Sequence, residues 1–70
     1  MYNSELVNSA MGARRLTNPE VARIAGVAPK TVSAIRNGKD SVTLPTLKKV
    51  ADALDLQLIV RFEKKEVAHA

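Results

Sequence analysis

Prolines and glycines divide this 70-residue sequence into short segments whose apolar residues recur with helical spacing. Pro19, Pro29 and Pro45 each lie just inside such a segment. Proline suits the first turn of a helix, where its missing N–H would have no partner anyway. Gly26 and Gly38 follow two of the segments, and a left-handed glycine readily ends a helix. The chain is therefore predicted to form short helices joined by tight turns.

Four helices follow from this pattern: 5–14, a second from 17 to the glycine at 26, a third from 28 or 29 to 37 or 38, and about 44–54. Ser4 and Thr43 are the expected N-caps of the first and fourth helices. Thr17 and Glu20 have the spacing of a capping box, in which each side chain bonds the other residue's backbone N–H. The residues expected to face inward are Leu6, Val7, Ala10 and Met11; Val21, Ala22, Ile24 and Ala25; Val32 and Ile35; and Leu44, Leu47, Val50, Ala51 and Leu54.

After residue 55 the apolar residues recur at every second position, which is typical of a β-strand. No other segment has this pattern, and a lone strand leaves its backbone N–H and C=O groups unpaired. We therefore predict that a strand over 56–63 pairs with the same strand of another copy, and that 64–70 form a flexible tail. The predicted dimer interface consists of Leu56, Leu58, Ile59, Val60 and Phe62.

Charge and aromatic content indicate what kind of partner such a chain has. Eleven Lys and Arg residues against seven Asp and Glu give a net charge of +4. That balance in so small a domain suits a polyanionic partner. Tyr2 and Phe62 are the aromatic residues, and proteins that bind single-stranded nucleic acid stack bases on several rings. A double-stranded partner is therefore favoured.

Several classes of function are not expected. The chain has no cysteine, and its one histidine is His69, so neither a disulfide nor a His/Cys metal site is predicted. Ser33 has no histidine within credible reach along the chain, and no phosphate-binding glycine loop occurs, so we expect no enzyme and no cofactor. The longest apolar run, 58–60, is far below the roughly 20 residues of a membrane span. The first residues lack the features of a signal peptide, so a cytoplasmic location without membrane contact is expected.

Residues 18–38 have the pattern of two helices packed across a tight turn. Ala22 is small where a larger side chain would hold the helices apart, and Gly26 supplies the left-handed turn. Val27, Val32 and Ile35 fill the space between the helices. This predicts a helix-turn-helix, whose second helix presents its outer face to a DNA major groove.

The predicted fold class is therefore all-α: a compact four-helix domain with a helix-turn-helix, plus a C-terminal β-strand paired across a homodimer. The helix-turn-helix DNA-binding domain spans 1–55, the dimerisation strand 56–63 and the tail 64–70.

Three stretches resemble the Cro/CI-type helix-turn-helix family of phage repressors and related bacterial regulators. They are 16–27 (LTNPEVARIAGV), 31–39 (TVSAIRNGK) and 44–54 (LPTLKKVADAL). The resemblance implies a transcriptional regulator that binds duplex DNA. A terminal strand shared by two copies is similar to what Cro proteins and some antitoxins have.

The resemblance also implies which residues contact DNA. Those facing base edges are Pro29, Lys30, Ser33 and Ala34, and those facing phosphates are Asn18, Thr31, Arg36, Asn37, Lys39 and Ser41. The alternative for the first group is an ordinary solvated helix face. The alternative for Asn37, which is compatible with phosphate contact, is a left-handed helix cap.

The sequence departs from the family pattern at several positions. Arg36 replaces a frequent glutamate that pairs with an arginine on the first helix, where this chain has Met11, so Arg36 is expected to be free for a phosphate or another acid. Ala28 and Pro29 replace a serine cap and a glutamine, and Arg15 stands where glycine is frequent.

The function expected from these features is a repressor that binds a near-palindromic operator as a dimer. One alternative is an antitoxin that binds a toxin protein and regulates its own operon. Another is a non-specific nucleoid-type DNA-binding protein, which competition with random DNA would distinguish.

Overall fold

A computed structural model describes residues 2–59 of the chain, and the four predicted helices are confirmed. Helix α1 spans Ser4–Arg14, α2 spans Asn18–Ala25, α3 spans Pro29–Arg36 and α4 spans Leu44–Ala53. α2 packs against both α3 and α4, and α1 packs against α3. This places α2 and α3 side by side, as the helix-turn-helix prediction requires.

Residues from all four helices form one apolar core. Its members are Ala10 and Met11 from α1, Val21 and Ala22 from α2, Val32 and Ile35 from α3, and Leu47, Val50 and Leu54 from α4 and its C-terminal end. Among residues 2–59 no polar or charged residue is fully buried. Burial of apolar surface is therefore the main source of stability, as expected for a domain without disulfides.

The interior position predicted for Ile24 is wrong, because 55% of its surface is exposed. Each residue turns a helix by about 100°, so the inward-facing stripe formed by Val21, Ala22 and the half-buried Ala25 points roughly 100° away from Ile24. Leu6 and Leu44, also predicted to face inward, are about half-exposed. The apolar stripes predicted from the sequence are therefore wider than the sides of the helices that are buried.

Side chains cap two of the helices. Thr17 forms the predicted capping box with Glu20 at the start of α2. The N-cap of α1 is Asn3, whose Oδ1 accepts the Leu6 N–H at 3.1 Å, and not Ser4, which is the first residue of the helix. Thr43 lies at the N-cap position of α4, but its hydroxyl bonds the Thr46 hydroxyl at 2.9 Å and caps no backbone group.

Left-handed residues follow the helices. Gly26 and Gly38 have φ angles of +73° and +71°, as predicted. Asn37 has φ −92°, so its alternative role as a left-handed cap is wrong, and Gly38 takes that position instead. Arg15 and Asp55 are left-handed non-glycine residues after α1 and α4. Such a conformation costs a non-glycine residue about 1–2 kcal/mol, which makes both positions strained.

Residues 56–59, the described part of the predicted strand, form no strand within the chain. Leu56 and Leu58 pack against the core, whereas Gln57 and Ile59 are exposed, so the predicted alternation of sides is present. Val60 and Phe62, and the predicted tail over 64–70, lie outside the described residues. The strand and its pairing across a dimer stay predictions.

Gly26 and Gly12 offer a matched test of the turn. Apart from adjacent residues and the backbone of its own helix, a Cβ at either glycine would meet no atom within 4 Å, so backbone conformation decides the effect. Gly26→Ala places a side chain at positive φ and is expected to lower the free energy of unfolding by about 1 kcal/mol. Gly12→Ala lies inside α1 and is expected to raise it by about 0.5–1 kcal/mol. Urea denaturation measures both, and shifts of the same sign would contradict the left-handed turn.

Candidate nucleic-acid interface

The turn between α2 and α3 is built from three residues. Gly26 adopts the left-handed conformation, and the Val27 N–H then donates to the Ala22 carbonyl at 2.9 Å. Ala22 is 2% exposed, so its methyl group leaves room for the close approach of the two helices. The turn fixes the direction in which α3 leaves α2.

α3 has one buried side and one outer side. Val32 and Ile35 are both 0% exposed and attach the helix to the core. Lys30, Ser33 and Asn37 lie on the opposite side, since helical spacing turns them away from that stripe. This outer side is the one that a major groove would meet.

The predicted base-contacting residues differ in how accessible they are. Pro29 and Lys30 are exposed, whereas Ser33 and Ala34 are half-buried. The Ala34 carbonyl also accepts the Lys39 N–H at 3.0 Å, and the Tyr2 hydroxyl lies 3.3 Å from it. Lys30 is thus the most prominent polar side chain of the predicted set.

Arg36 makes side-chain hydrogen bonds to α1 and α2 that the sequence analysis did not predict. Its Nε donates to Asn8 Oδ1 at 2.6 Å, and its Nη1 donates to Asn18 Oδ1 at 2.7 Å. Asn8 Nδ2 donates in turn to the Arg36 carbonyl at 3.2 Å. The partner on α1 is therefore Asn8, while Met11 is 1% exposed within the core.

A polar depression surrounds this arginine. Its lining residues come from α1, α2 and the end of α3: Asn8, Asn18, Ser33, Arg36 and Asn37. The structure thus brings together one predicted base-contacting residue and three predicted phosphate-contacting residues. Lys39 and Ser41 lie exposed beyond α3, and Thr31 is half-buried on the other flank of that helix, outside the depression.

Comparison with known protein families decides what kind of helix pair this is. Residues 7–59 match the Cro/C1-type HTH DNA-binding domain. The chain belongs to this family. A solved structure titled "MDT Protein" is 26% identical, covers 91% of this chain and 96% of its own, and superposes with a TM-score of 0.69. Among curated proteins, none matches this sequence.

Most first-turn N–H groups of α2 in this Cro/C1-type domain are either bonded or missing. Glu20 Oε1 accepts the Thr17 N–H at 3.0 Å, and the Glu20 N–H donates to Thr17 Oγ1 at 3.4 Å. Pro19 has no N–H, so Asn18 alone keeps a first-turn N–H without a partner among residues 2–59. The bonds from Thr17 lower the pKa of Glu20, and nearby Arg23 adds to this effect.

The N-terminus of α3 is more open. Ala28 provides no side-chain cap, and no acidic residue lies in the first turn. Thr31 and Val32 donate to the Ala28 carbonyl, which leaves the Lys30 N–H without a partner in the described part of the chain. The partial positive charge of this helix end therefore adds to that of Lys30.

Tyr2 is a second contact that the sequence analysis missed, besides Asn8. Its hydroxyl donates to the Lys39 carbonyl at 2.9 Å and lies 3.3 Å from the Ala34 carbonyl. Burial raises the pKa of Tyr2, and the negative charge of Asp40 raises it further. Tyr2 thereby ties the N-terminal segment to the end of α3 and to the loop that follows.

Two further features bear on other kinds of site. Within residues 2–59, no helix is long and apolar enough to cross a membrane. The same residues contain no group of three or more His, Cys, Asp or Glu side chains that suits a metal ion.

Proposed function

We propose that this Cro/C1-type domain is a sequence-specific transcriptional regulator that represses by binding a near-palindromic operator as a dimer. The observation that carries the proposal is the outer side of α3, where exposed Lys30 and half-buried Ser33 lie opposite the residues that attach α3 to the core. Family membership supports DNA as the partner. The net charge of +4 favours a polyanion as well.

Base reading is assigned to the first two turns of α3. The Lys30 ammonium is suited to donate to guanine O6 and N7, and the Ser33 hydroxyl can donate to or accept from either base type. Pro29 has no N–H to donate, and its ring and the Ala34 methyl group suit contact with thymine methyl groups. In this proposal, Lys30 and Ser33 recognise bases by hydrogen bonds, while Pro29 and Ala34 add apolar contacts to thymine methyl groups.

Phosphate contacts are assigned to both sides of α3. On one side, the polar depression is lined by Asn18, Arg36 and Asn37. On the other side of α3 lies Thr31, a residue of the helix itself. Lys39 and Ser41 are exposed in the following loop. Contacts of this kind fix the position of the protein on the duplex and make binding depend steeply on salt concentration.

Dimerisation is assigned to the segment 56–63. A broad apolar groove supports this, because the described part of the segment lines it together with α1 and α4. Leu6, Leu44 and Ile59, each at least half-exposed, also line the groove. A second copy pairing here would cover apolar surface that one copy leaves open to water.

In vitro selection of bound duplexes from a random pool tests the function. A dimer should enrich two half-sites of inverted sequence, with centres roughly 34–36 Å apart or a multiple of this distance. Such a site would also allow the bound protein to block polymerase sterically. Enrichment of no sequence would indicate a non-specific DNA-binding protein, and enrichment of a single half-site would contradict the dimer.

Ile59→Pro tests the pairing of strands. Proline removes a backbone N–H from the ladder, and the exposed position of Ile59 means that the four-helix core should not be disturbed. We expect the wild-type chain to sediment as a dimer at micromolar concentration and the proline variant as a monomer. Ile59→Ala, which keeps the N–H, is the control. A dimeric proline variant would contradict pairing through this strand.

A further inference from the structure

We propose that Asn8 is a positioning residue, which holds Arg36 in place for a DNA phosphate without neutralising its charge. The inference rests on the proposed DNA binding and adds to it a residue of α1, outside the helix-turn-helix. It assigns the polar depression between α1, α2 and α3 as a phosphodiester site. Three observations support this inference: Arg36 has unused donors, its charge has no counter-charge nearby, and two hydrogen bonds fix the orientation of the Asn8 amide.

The bonds leave part of the guanidinium group available. An arginine has five N–H donors. Arg36 uses one of them on Asn8 and one on Asn18, so three have no partner among residues 2–59. The group is thus held from two helices while it keeps donors for a ligand, and a phosphate oxygen pair suits the remaining fork.

The charge of Arg36 is not compensated. In the described part of the chain, ion pairs form between Arg14 and Asp55 and between Lys48 and Asp52, and no carboxylate lies within 4.0 Å of Arg36. Both partners of Arg36 are neutral amides. A half-buried cation without a counter-charge favours an anion beside it, and a backbone phosphate would supply one.

The orientation of the Asn8 amide is defined by two bonds. Its Oδ1 accepts from Arg36 Nε, and its Nδ2 donates to the Arg36 carbonyl at the end of α3. An aspartate here would retain the acceptor for Arg36 Nε, lose the donor to the Arg36 carbonyl and add a charge that offsets that of Arg36. An alanine would release the guanidinium group, whose flexible side chain would then lose entropy on binding DNA.

Asn8→Asp distinguishes two roles of Asn8: holding a positively charged Arg36 for a phosphate, or only stabilising the fold. We expect about tenfold weaker binding to the selected duplex, and a plot of log affinity against log salt concentration that is shallower by roughly one phosphate contact. The melting temperature should change little, because the ionic bond from Asp to Arg36 offsets the lost Nδ2 bond to the Arg36 carbonyl. If Asn8 only supported the fold, affinity and slope would follow the melting temperature and would not fall.

Three further variants complete the experiment. Arg36→Met should reduce the salt slope by the same amount as Asn8→Asp. Asn8→Ala should weaken binding while leaving Arg36 charged, and it should keep a slope near that of the wild type. Asn3→Ala, which removes the cap of α1 away from the depression, is the control for lost helix stability and should leave the slope unchanged.

Two outcomes overturn the inference in different ways. If the wild-type chain binds the duplex and Asn8→Asp binds equally well with an equal slope, then the inference is wrong while the proposed function stands. If the wild-type chain binds no duplex under any salt condition, then the proposed function fails and the phosphate site fails with it.

Discussion

Ile35→Ala is expected to lower the free energy of unfolding by about 2–5 kcal/mol, as is usual for large core residues cut back to alanine. Ile35 is 0% exposed and joins α3 to the core. At ~0.05–0.15 kcal/mol per residue, a 70-residue domain has roughly 4–10 kcal/mol in total. The variant should therefore lose about half of its stability and be partly unfolded on modest warming.

Ile24→Ala is the matched control, because it makes the same chemical change on α2 at a side chain that is 55% exposed. We expect a change within about 0.5 kcal/mol. Urea denaturation followed by circular dichroism measures both variants. If both variants lost the same free energy of unfolding, then Ile35 would not be buried and Ile24 exposed as described above.

The fold was predictable where neighbouring residues decide it. The Thr17–Glu20 capping box and the left-handed Gly26 and Gly38 are confirmed, and each depends on residues only a few positions apart. Helix boundaries follow from such local hydrogen bonds and backbone preferences. Ile24 shows where this fails, because an apolar residue at the edge of a stripe satisfies the spacing without being buried.

The candidate site was predictable only in part. The positions on α3 follow from helical spacing, but the partners of Arg36 do not. Asn8 and Arg36 are 28 residues apart, and the Tyr2 hydroxyl bonds a carbonyl 37 residues away. No local pattern indicates which polar residue of α1 faces α3. The signal that was present is Asn8 itself, a polar residue beside the apolar stripe of α1 that contains Val7 and Met11.

Arg15 departs from the family pattern and has a strained backbone conformation. Glycine is frequent in the family at this position, and Arg15 has the positive φ of +54° that would favour glycine. The N–H of Arg15 and that of Leu16 still donate to carbonyls of the last turn of α1, at 3.1 and 3.0 Å. The chain thus keeps the usual helix ending while placing a second exposed cation after Arg14 at the approach to α2.

Lys30→Ala is expected to weaken binding to the selected operator by roughly 5- to 150-fold, since a good contact to a guanine edge contributes about 1–3 kcal/mol. Adding Ser33→Ala should weaken it further. The loss should be much smaller on random duplex DNA, because that binding depends mainly on phosphate contacts. The specificity ratio, measured by gel shift with both duplexes at one salt concentration, is therefore the decisive quantity.

Lys49→Ala is the control for the loss of one positive charge. Lys49 is exposed on α4, and it is preferable to Lys48, which pairs with Asp52 at 3.2 Å. Its removal should lower affinity for both duplexes slightly and equally, through the general electrostatic attraction of the protein to DNA. If Lys30→Ala behaves like Lys49→Ala and leaves the specificity ratio unchanged, then the outer side of α3 does not read bases, and sequence preference must arise elsewhere on the domain.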